Sequence, residues 1–385
     1  VKNLLYIGIS IPNQRTNPLA HKLSFCTADE LSKLKISQDD ISNFLEFLSD
    51  IPCIEELTLV STCNRFELII FLKERFITDE PLLRKDLAKQ IETRINHYIE
   101  REVNFAFLFN EEAQLQILRT YCGLNSGLVG ESEISIQFNG AFKQALNLGF
   151  LKEQGLKLLE KAQFLRDFFN KHIYLKPVSY CDIAIQKAYM GLSLMAPLKT
   201  ATILGSGSTA IQSCLSLVNS LSFSASNLTL IHRVSSASVQ IQNFKESPNL
   251  SFMNFIRSKK NGYKTEKVEK ACMNSDLVIF GIDAKSPVIS FPDNSKAVIL
   301  DFNSNPSCIV NSRLKGSSYI SLDTLDKYVR EYSYRQNNDF DLLNRLSIGE
   351  DFIISQIDSP KTLLLNVQVQ GRGTNDQCLK ICVAN

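Results

Sequence analysis

Several things are scarce in this chain. It has no CxxC pair and only four histidines, at positions 21, 97, 172 and 232, which form no zinc-type spacing, so no metal site is expected. Its net charge is only +2. No global basic field therefore argues for or against a nucleic-acid partner, and such a contact would need a local patch. No apolar run reaches membrane-spanning length. No secretory leader is recognisable, and the ten cysteines (26, 53, 63, 122, 181, 214, 272, 308, 378 and 382) follow no framework spacing. Reduced thiols in a cytoplasmic protein are the expectation. No internal repeat or low-complexity segment is evident. What is present is ordinary globular material: 44% hydrophobic and 21% charged residues over a length of 385, enough for two or three domains.

One short stretch stands out. Val60-Ser-Thr-Cys-Asn-Arg-Phe-Glu67 places Cys63 and Arg65 in a polar break between Glu56–Leu59 and Leu68–Phe71, both of which read as strands. A thiol at a hairpin tip can be reached by a ligand, and a neighbouring cation favours the reactive thiolate. An isolated cysteine beside strands is more often structural filler, so the rest of the chain must decide.

The N-terminal part reads as β-α-β-β-α-β. Asn3–Ile11 alternates as a strand. Ser37 is a natural N-cap for an amphipathic helix through Leu48. Leu82–Ile99 is helical and Val103–Phe109 is a fourth strand. This order predicts a ferredoxin-like α+β domain, an antiparallel sheet with helices on one side. Helix Glu111–Tyr121 leads into Gly123-Leu-Asn-Ser-Gly-Leu-Val-Gly-Glu131, a loop whose glycines let backbone approach something closely. Helices follow over Ile134–Leu148 and Gly155–Ile173, and Lys176-Pro177 marks a domain boundary.

A new pattern starts there. Thr200–Leu204 reads as a buried strand, Gly205-Ser206-Gly207-Ser208-Thr209-Ala210 as a turn, then a helix through Leu221 and a second strand, Leu228–Ile231, before His232-Arg233. Strand, glycine turn, helix and strand within some thirty residues match the first βαβ unit of a Rossmann dinucleotide-binding domain. Gly205 would permit the tight turn, and Gly207 would let a pyrophosphate sit on backbone N–H groups. Ala210 stands for the third glycine. Arg233 suits the 2′-phosphate of NADP better than the ribose of NAD, with Ser235 and Ser236 adding hydrogen bonds; a solvated surface arginine is the alternative. Ser275–Phe280 and Lys296–Asp301 read as further parallel strands. Arg257–Lys267 reads as an irregular basic loop, and Asp323–Arg345 as one charged helix. No role is assigned to residues 359–385.

Taken together, these motifs resemble the glutamyl-tRNA reductase family over about Leu4 to Arg330. Ser61-Thr-Cys-Asn-Arg-x-Glu67 is similar to the family's Ser-Thr-Cys-Asn-Arg-x-Glu motif. Gly123–Glu131 with Ser132, Glu133, Ile134 and Gln137 matches its Gly-Leu-Asp-Ser-x-x-x-Gly-Glu-Pro-Gln-Ile block without gaps. Gly8-Ile-Ser and Thr16-Asn17-Pro18 are similar to the family's opening motif, with three extra residues. The resemblance implies α/β multidomain architecture: a catalytic domain over 1–155, a connecting helix over 156–176, a Rossmann NADP-binding domain over 177–315, and over 316–385 a C-terminal helix with a reduced dimerisation region.

It also implies an activity, the NADPH-dependent reduction of glutamyl-tRNA(Glu) to glutamate-1-semialdehyde, the precursor of 5-aminolevulinate and tetrapyrroles. Cys63 would be the nucleophile. Thr62, Asn64, Arg65, Ser126, Glu131, Ser132, Glu133 and Gln137 would bind the substrate, with Arg65 on its carboxylate and Glu131 on its ammonium. Gly205, Ser206, Gly207, Ser208, Thr209, Ala210, Arg233 and Ser235 would bind the cofactor. Implied partners are glutamyl-tRNA, the downstream semialdehyde aminomutase and a second copy of the chain. The segment beyond Arg330 is shorter than the helical dimerisation region expected of the family.

Departures from the family pattern are specific. Gln116 stands where the family usually has a histidine implicated in activity; a glutamine orients groups but exchanges no proton near neutral pH. Ser132 and Glu133 replace Pro and Gln, and Phe66 a usual Thr. A catalytically weakened relative that binds glutamyl-tRNA or a partner is therefore the alternative, and an unrelated dehydrogenase of a free small molecule is a third reading.

Overall fold

The structure is a computed structural model describing residues 3–10, 17–27, 30–31, 33–34, 36–37, 40–62, 64–76, 80–174, 179–192, 198–205, 207–221, 223–233, 253–258, 266–282, 297–302, 319–357, 366–372 and 376–382. The chain divides into two units, Val1–Pro177 with Gln336–Asn385, and Val178–Arg335.

The first unit is built on a four-stranded sheet of β1 (Leu4–Ser10), β2 (Ile54–Ser61), β3 (Arg65–Leu72) and β4 (Ala106–Phe109). Its order is β2-β3-β1-β4 and every neighbouring pair is antiparallel. That is the strand order of a β-α-β-β-α-β arrangement, with α1 (Ile41–Ser49) and α2 (Pro81–Tyr98) as its helices. Ile41, Phe44, Leu45 and Leu48 recur at helical spacing and are all buried, so α1 docks by one apolar stripe. Its Phe44 ring meets Phe66 of β3 edge-on at 6.0 Å.

Two expectations are corrected here. The helix begins at Ile41, and Ser37 does not cap it: the Ser37 hydroxyl accepts the Asp40 N–H at 3.3 Å, one turn upstream. Nor do helices cover one side of the sheet alone. All eight residues of β3 are buried, because later helices cover the opposite face. These are α3 (Asn110–Tyr121), α4 (Ser132–Asn147) and α5 (Glu153–Phe168). Thr58 of β2 donates to the Ala141 carbonyl of α4 at 3.2 Å. Buried Glu56 of β2 accepts the N–H groups of Lys152, Gln154 and Gly155 at 2.8–3.0 Å, so its carboxylate satisfies the orphan donors that open α5. The helix expected to run to Ile173 ends as α at Phe168 and continues as a π-helical turn, Phe169–Ile173.

In the second unit, β5 (Ala201–Leu204), β6 (Leu228–Arg233), β7 (Asn254–Ser258), β8 (Leu277–Phe280), β9 (Val298–Asp301) and β10 (Tyr319–Ile320) form one sheet. Its order is β10-β9-β8-β5-β6-β7 and all pairs are parallel. Counted from β5, this is the order 3-2-1-4-5-6 of a Rossmann-like sheet, in which the strand order reverses between β5 and β8. Helices α6 (Tyr180–Leu192), α7 (Ser208–Ser220) and α8 (Glu266–Met273) belong to it. The stretch expected to be an irregular basic loop is partly regular: Arg257 lies on β7 and Lys267 on α8, with 259–265 outside the described residues.

The single charged helix expected over Asp323–Arg345 is two helices, α9 (Leu322–Asn337) and α10 (Phe340–Ile357). Asn337-Asn338-Asp339 is a run of helix-breaking and capping residues, and the Asp339 side chain accepts the Leu342 N–H at 3.0 Å. Gln336 and all of α10 belong to the first unit, whose core takes in Leu342, Leu346, Phe352 and Ile353. Residues Asn366–Arg372 and Asp376–Cys382 pair as an antiparallel hairpin. No described helix is long and apolar enough to cross a membrane.

Candidate active site

The hairpin between β2 and β3 closes tightly. Thr62 N–H donates to the Arg65 carbonyl at 2.9 Å, and Asn64 N–H donates to the Thr62 hydroxyl at 3.2 Å. Cys63 lies outside the described residues; its neighbour Thr62 is half-buried and Asn64 is exposed. The expectation of a hairpin tip thus holds for the residues on either side.

Arg65, by contrast, turns inward. It is 4% exposed. Its Nη1 lies 3.3 Å from Glu67 Oε1, and its Nη2 donates to the Asn125 carbonyl at 3.4 Å. Both contacts are long, and the buried Nε has no partner among the described residues. An uncommitted guanidinium edge of this kind suits a planar carboxylate. Glu67 Oε1 is shared with Tyr6, whose hydroxyl donates to it at 3.2 Å. Gly8 makes this possible. It pairs with Glu67 across β1 and β3, and a Cβ there would collide with the Tyr6 ring. Burial, and secondarily the Glu67 carboxylate, hold the Tyr6 phenol well above its usual value. Burial also raises Glu67, against the pull of Arg65.

Gln116 sits on α3, buried, at the centre of an amide network. Its Oε1 accepts from Asn17 Nδ2 at 3.1 Å and from Asn125 Nδ2 at 3.1 Å. Its Nε2 donates to the Thr120 hydroxyl at 3.5 Å, and the amide lies within reach of the Tyr6 hydroxyl. Asn125 also donates to Thr120 Oγ1 at 3.0 Å and accepts from Arg119 Nε at 3.4 Å. The residue in the histidine's place is therefore a fixed structural hub linking β1, α3 and the glycine loop.

That loop, Gly123–Glu131, is held from below by Arg166 of α5. The guanidinium donates to the carbonyls of Cys122 at 2.6 Å, Gly130 at 2.9 Å and Glu131 at 3.1 Å. The Tyr174 hydroxyl donates to the Cys122 carbonyl at 2.6 Å. Gly130 has φ +74° and a Cβ there would press on the Tyr174 ring, so two demands meet at one glycine. Ser126 is buried. Among the described residues its hydroxyl has no partner of full hydrogen-bond geometry, yet it lies close enough to Glu131 to favour the ionised carboxylate.

Glu131 occupies the N-cap position of α4 without using its side chain as a cap. The residue keeps some surface open to solvent, but its carboxyl is crowded by protein atoms. That desolvation, followed by repulsion from Glu133, pushes its pKa up to about 7, against the opposing pull of Arg65, Ser126 and Arg166. Arg65, Ser126 and Glu131 thus converge. Ser132 and Glu133 lie beside them on the first turn of α4, joined by a 3.3 Å hydrogen bond, and Gln137 is one turn further on. Asn64 stays outside, exposed. Tyr6, Asn17, Glu67, Arg119, Asn125 and Arg166 were not singled out as site residues from the sequence. The Glu67 and Asn125 positions fall within the two motifs, but each of the six also has a partner from a distant part of the chain.

The glycine turn of the second unit has its own geometry. Gly205 has φ +132°, and a Cβ on it would collide with the Gly281 carbonyl at the end of β8. The Cβ of Ala210 lies 3.1 Å from the Cβ positions of both glycines, so this is a close strand–helix junction with room for nothing larger than alanine. Gly207, the N-cap of α7, faces open space. Thr209 and Ala210 lie in the first turn of α7, as does the backbone of Ser208. Ser206 and Ser235 lie outside the described residues, and of Arg233 only the backbone, at the end of β6, is described.

This combination defines the class: a two-unit α/β protein with an inward-facing arginine beside a hairpin in one unit and a dinucleotide-type parallel sheet in the other. The family model "Glutamyl-tRNAGlu reductase, N-terminal domain" matches residues 21–165. A glutamyl-tRNA reductase from Cyanophora paradoxa is 25% identical over 300 residues, covering 75% of this chain and 60% of the relative. One from Staphylococcus carnosus is 25% identical over 281 residues, covering 71% and 57%. Over residues 21–165 the chain thus matches the N-terminal domain of the glutamyl-tRNA reductase family, and over most of its length it is similar to members of that family at about a quarter identity. It spans less than two thirds of the length of these relatives. Among solved structures, the glutamyl-tRNA reductase from Methanopyrus kandleri aligns with 93% of this chain and 80% of its own at 19% identity, with a TM-score of 0.46.

Proposed function

We propose that this protein reduces glutamyl-tRNA(Glu) to glutamate-1-semialdehyde through a thioester on Cys63. The observation that carries the proposal is the convergence of Arg65, Ser126 and Glu131 beside the hairpin on which Cys63 is threaded. Arg65 offers an unpartnered buried Nε and two weakly committed terminal nitrogens, the group needed for the γ-carboxylate of the glutamyl moiety. Glu131 offers a carboxylate for its ammonium. With both ends of the amino acid held, its ester carbonyl is presented to the thiol between Thr62 and Asn64.

The chemistry suits these residue types. The Cys63 thiolate attacks the ester carbon, a carbon–sulfur bond forms, and the bond to the terminal ribose oxygen breaks. That oxygen takes a proton and the tRNA leaves. A thioester accepts hydride more readily than an ester, and its carbon–sulfur bond breaks to return the thiolate and release the aldehyde. NADPH, when bound, supplies the hydride. The Gly205–Ala210 turn, with Gly207 facing open space at the start of α7, fits its pyrophosphate, and Arg233 would meet its 2′-phosphate. Three buried thiols do not compete for the first step. Cys122 and Cys272 are buried and pushed up to about 12 by desolvation, and Cys214 is raised as well, which keeps them protonated and inert.

Purified protein mixed with glutamyl-tRNA and NADPH is expected to form semialdehyde, and Cys63→Ser to abolish it. A second reading has one observation in its favour: Gln116 fills the histidine's place as a hydrogen-bond hub that transfers no proton. On that reading the protein binds glutamyl-tRNA without efficient turnover, and the same assay returns tight binding with no aldehyde.

A further inference from the structure

The Gly123–Glu131 loop is held on a second side, by residues more than two hundred positions away. Gln336, in the last turn of α9, grips the backbone of Val129 with both ends of its amide. Its Oε1 accepts the Val129 N–H at 3.2 Å, and its Nε2 donates to the Val129 carbonyl at 3.3 Å. Val129 is buried between Ser126 and Glu131 in the chain. Two residues of α10 complete the attachment. Glu350 Oε1 lies 2.6 Å from Arg119 Nη1, and the same buried guanidinium donates through Nε to the Asn125 side chain at 3.4 Å. Phe352 packs on Phe168 at 4.2 Å and on Phe164 at 6.2 Å. The Phe169 ring fits so closely against α10 that a Cβ on Gly349 would overlap it.

We infer that Gln336 and Glu350 are positioning residues of the candidate site: they fix the loop that presents Ser126 and Glu131, and so set affinity for the bound amino-acid moiety. The inference rests on the proposed function only for the identity of that moiety. Two features of the geometry support it. An amide that satisfies both backbone polar groups of one residue behaves like a rung of sheet, and holds the two peptide planes flanking that residue. The Arg119–Glu350 pair is partly desolvated, so removing Glu350 leaves a buried cation whose remaining side-chain tie among the described residues is Asn125. Asn125, in turn, carries the carbonyl that faces Arg65. Loss of either contact would loosen the loop without touching the hairpin that carries the thiol.

The test uses the full chain with Gln336→Ala and, separately, Glu350→Gln, with Glu350→Asp as the conservative variant. Hydrogen exchange of peptides covering 123–131 is expected to quicken about fivefold in the first two, the worth of roughly one hydrogen bond, while β2–β3 peptides stay unchanged. The KM for glutamyl-tRNA rises by about the same factor with kcat within about twofold, and Glu350→Asp restores most of both. Unchanged loop exchange overturns the inference, as does quickening that spreads equally to β2–β3, which is general loosening. A fall in kcat at constant KM overturns it too. If the unsubstituted protein reduces no glutamyl-tRNA, the substrate reading fails by itself, and the exchange measurement still decides the positioning role.

Discussion

The Tyr6 hydroxyl reaches over Gly8 to Glu67 Oε1 at 3.2 Å, and Arg65 Nη1 stands 3.3 Å from the same oxygen. Tyr6 thus supports the carboxylate that orients the arginine, without itself facing the hairpin tip. Tyr6→Phe keeps the ring and deletes the donor. It is expected to cost about 1–2 kcal/mol in denaturant unfolding, because buried Glu67 then relies on Arg65 alone. Unchanged stability would show that the Tyr6–Glu67 bond contributes nothing to the site's framework.

Gln116→His would put back the family's usual residue, but the network around it argues against a simple gain. Gln116 Oε1 accepts two N–H groups, from Asn17 and Asn125, while Nε2 donates to Thr120. A neutral imidazole has one acceptor nitrogen, so one donor is stranded. The variant is expected to be less stable by about 1–2 kcal/mol and to bind glutamyl-tRNA less tightly. A stable variant with faster turnover would mean that the network yields easily and that the missing proton carrier is what limits the enzyme.

On the proposed reading, in which Glu131 meets the substrate ammonium, substrate affinity depends on pH. Its pKa stands at about 7, raised by burial and then by Glu133. Below that pH the carboxyl is neutral and loses its hold on an ammonium, so KM for glutamyl-tRNA is expected to rise as pH falls from 8 to 6, by about tenfold at the lower end. Glu133→Gln removes one raising cause and moves the inflection to lower pH. The sign for stability is opposite. A carboxyl with a raised folded-state pKa favours the fold when protonated, and that contribution is lost as pH rises through about 7. A KM independent of pH on the acid side, in both proteins, would remove Glu131 from the ammonium site.

On the proposed reading, a substitution at Gly207 tests cofactor binding apart from folding. Among the described residues nothing lies within 4 Å of a Cβ at this position, whereas Gly205 and Ala210 are locked against Gly281. Gly207→Ala should therefore fold with unchanged thermal stability while NADPH affinity, read by fluorescence titration, drops about tenfold or more, since the methyl group occupies the space a pyrophosphate needs. Unchanged NADPH affinity would place the cofactor elsewhere.

The comparison of sequence with structure divides along the range of the interactions. Strand alternation and helical stripes are local, so the β-α-β-β-α-β order and the parallel strands around Gly205 could be read from the chain. The break at Asn337-Asn338-Asp339 was also written locally, in residues that stop and cap helices, and continuing apolar spacing from Leu325 to Leu342 concealed it. The partners of the site were not legible. Tyr6 with Glu67, Asn17 with Gln116, Gln336 with Val129 and Glu350 with Arg119 are pairs separated by 61, 99, 207 and 231 positions. No periodicity reports them. Burial of β3 on both faces, too, depends on helices that come after the sheet is complete.

The central claim is a thioester on Cys63, and the most direct measurement is to trap it. Protein incubated with glutamyl-tRNA in the absence of NADPH, then digested and analysed by mass spectrometry, is expected to carry one glutamyl group on the peptide containing Cys63. The adduct should vanish on addition of NADPH, with semialdehyde appearing in its place, and should be absent from Cys63→Ser. Semialdehyde formation that persists at the same rate in Cys63→Ser, with no adduct in either protein, would contradict the account.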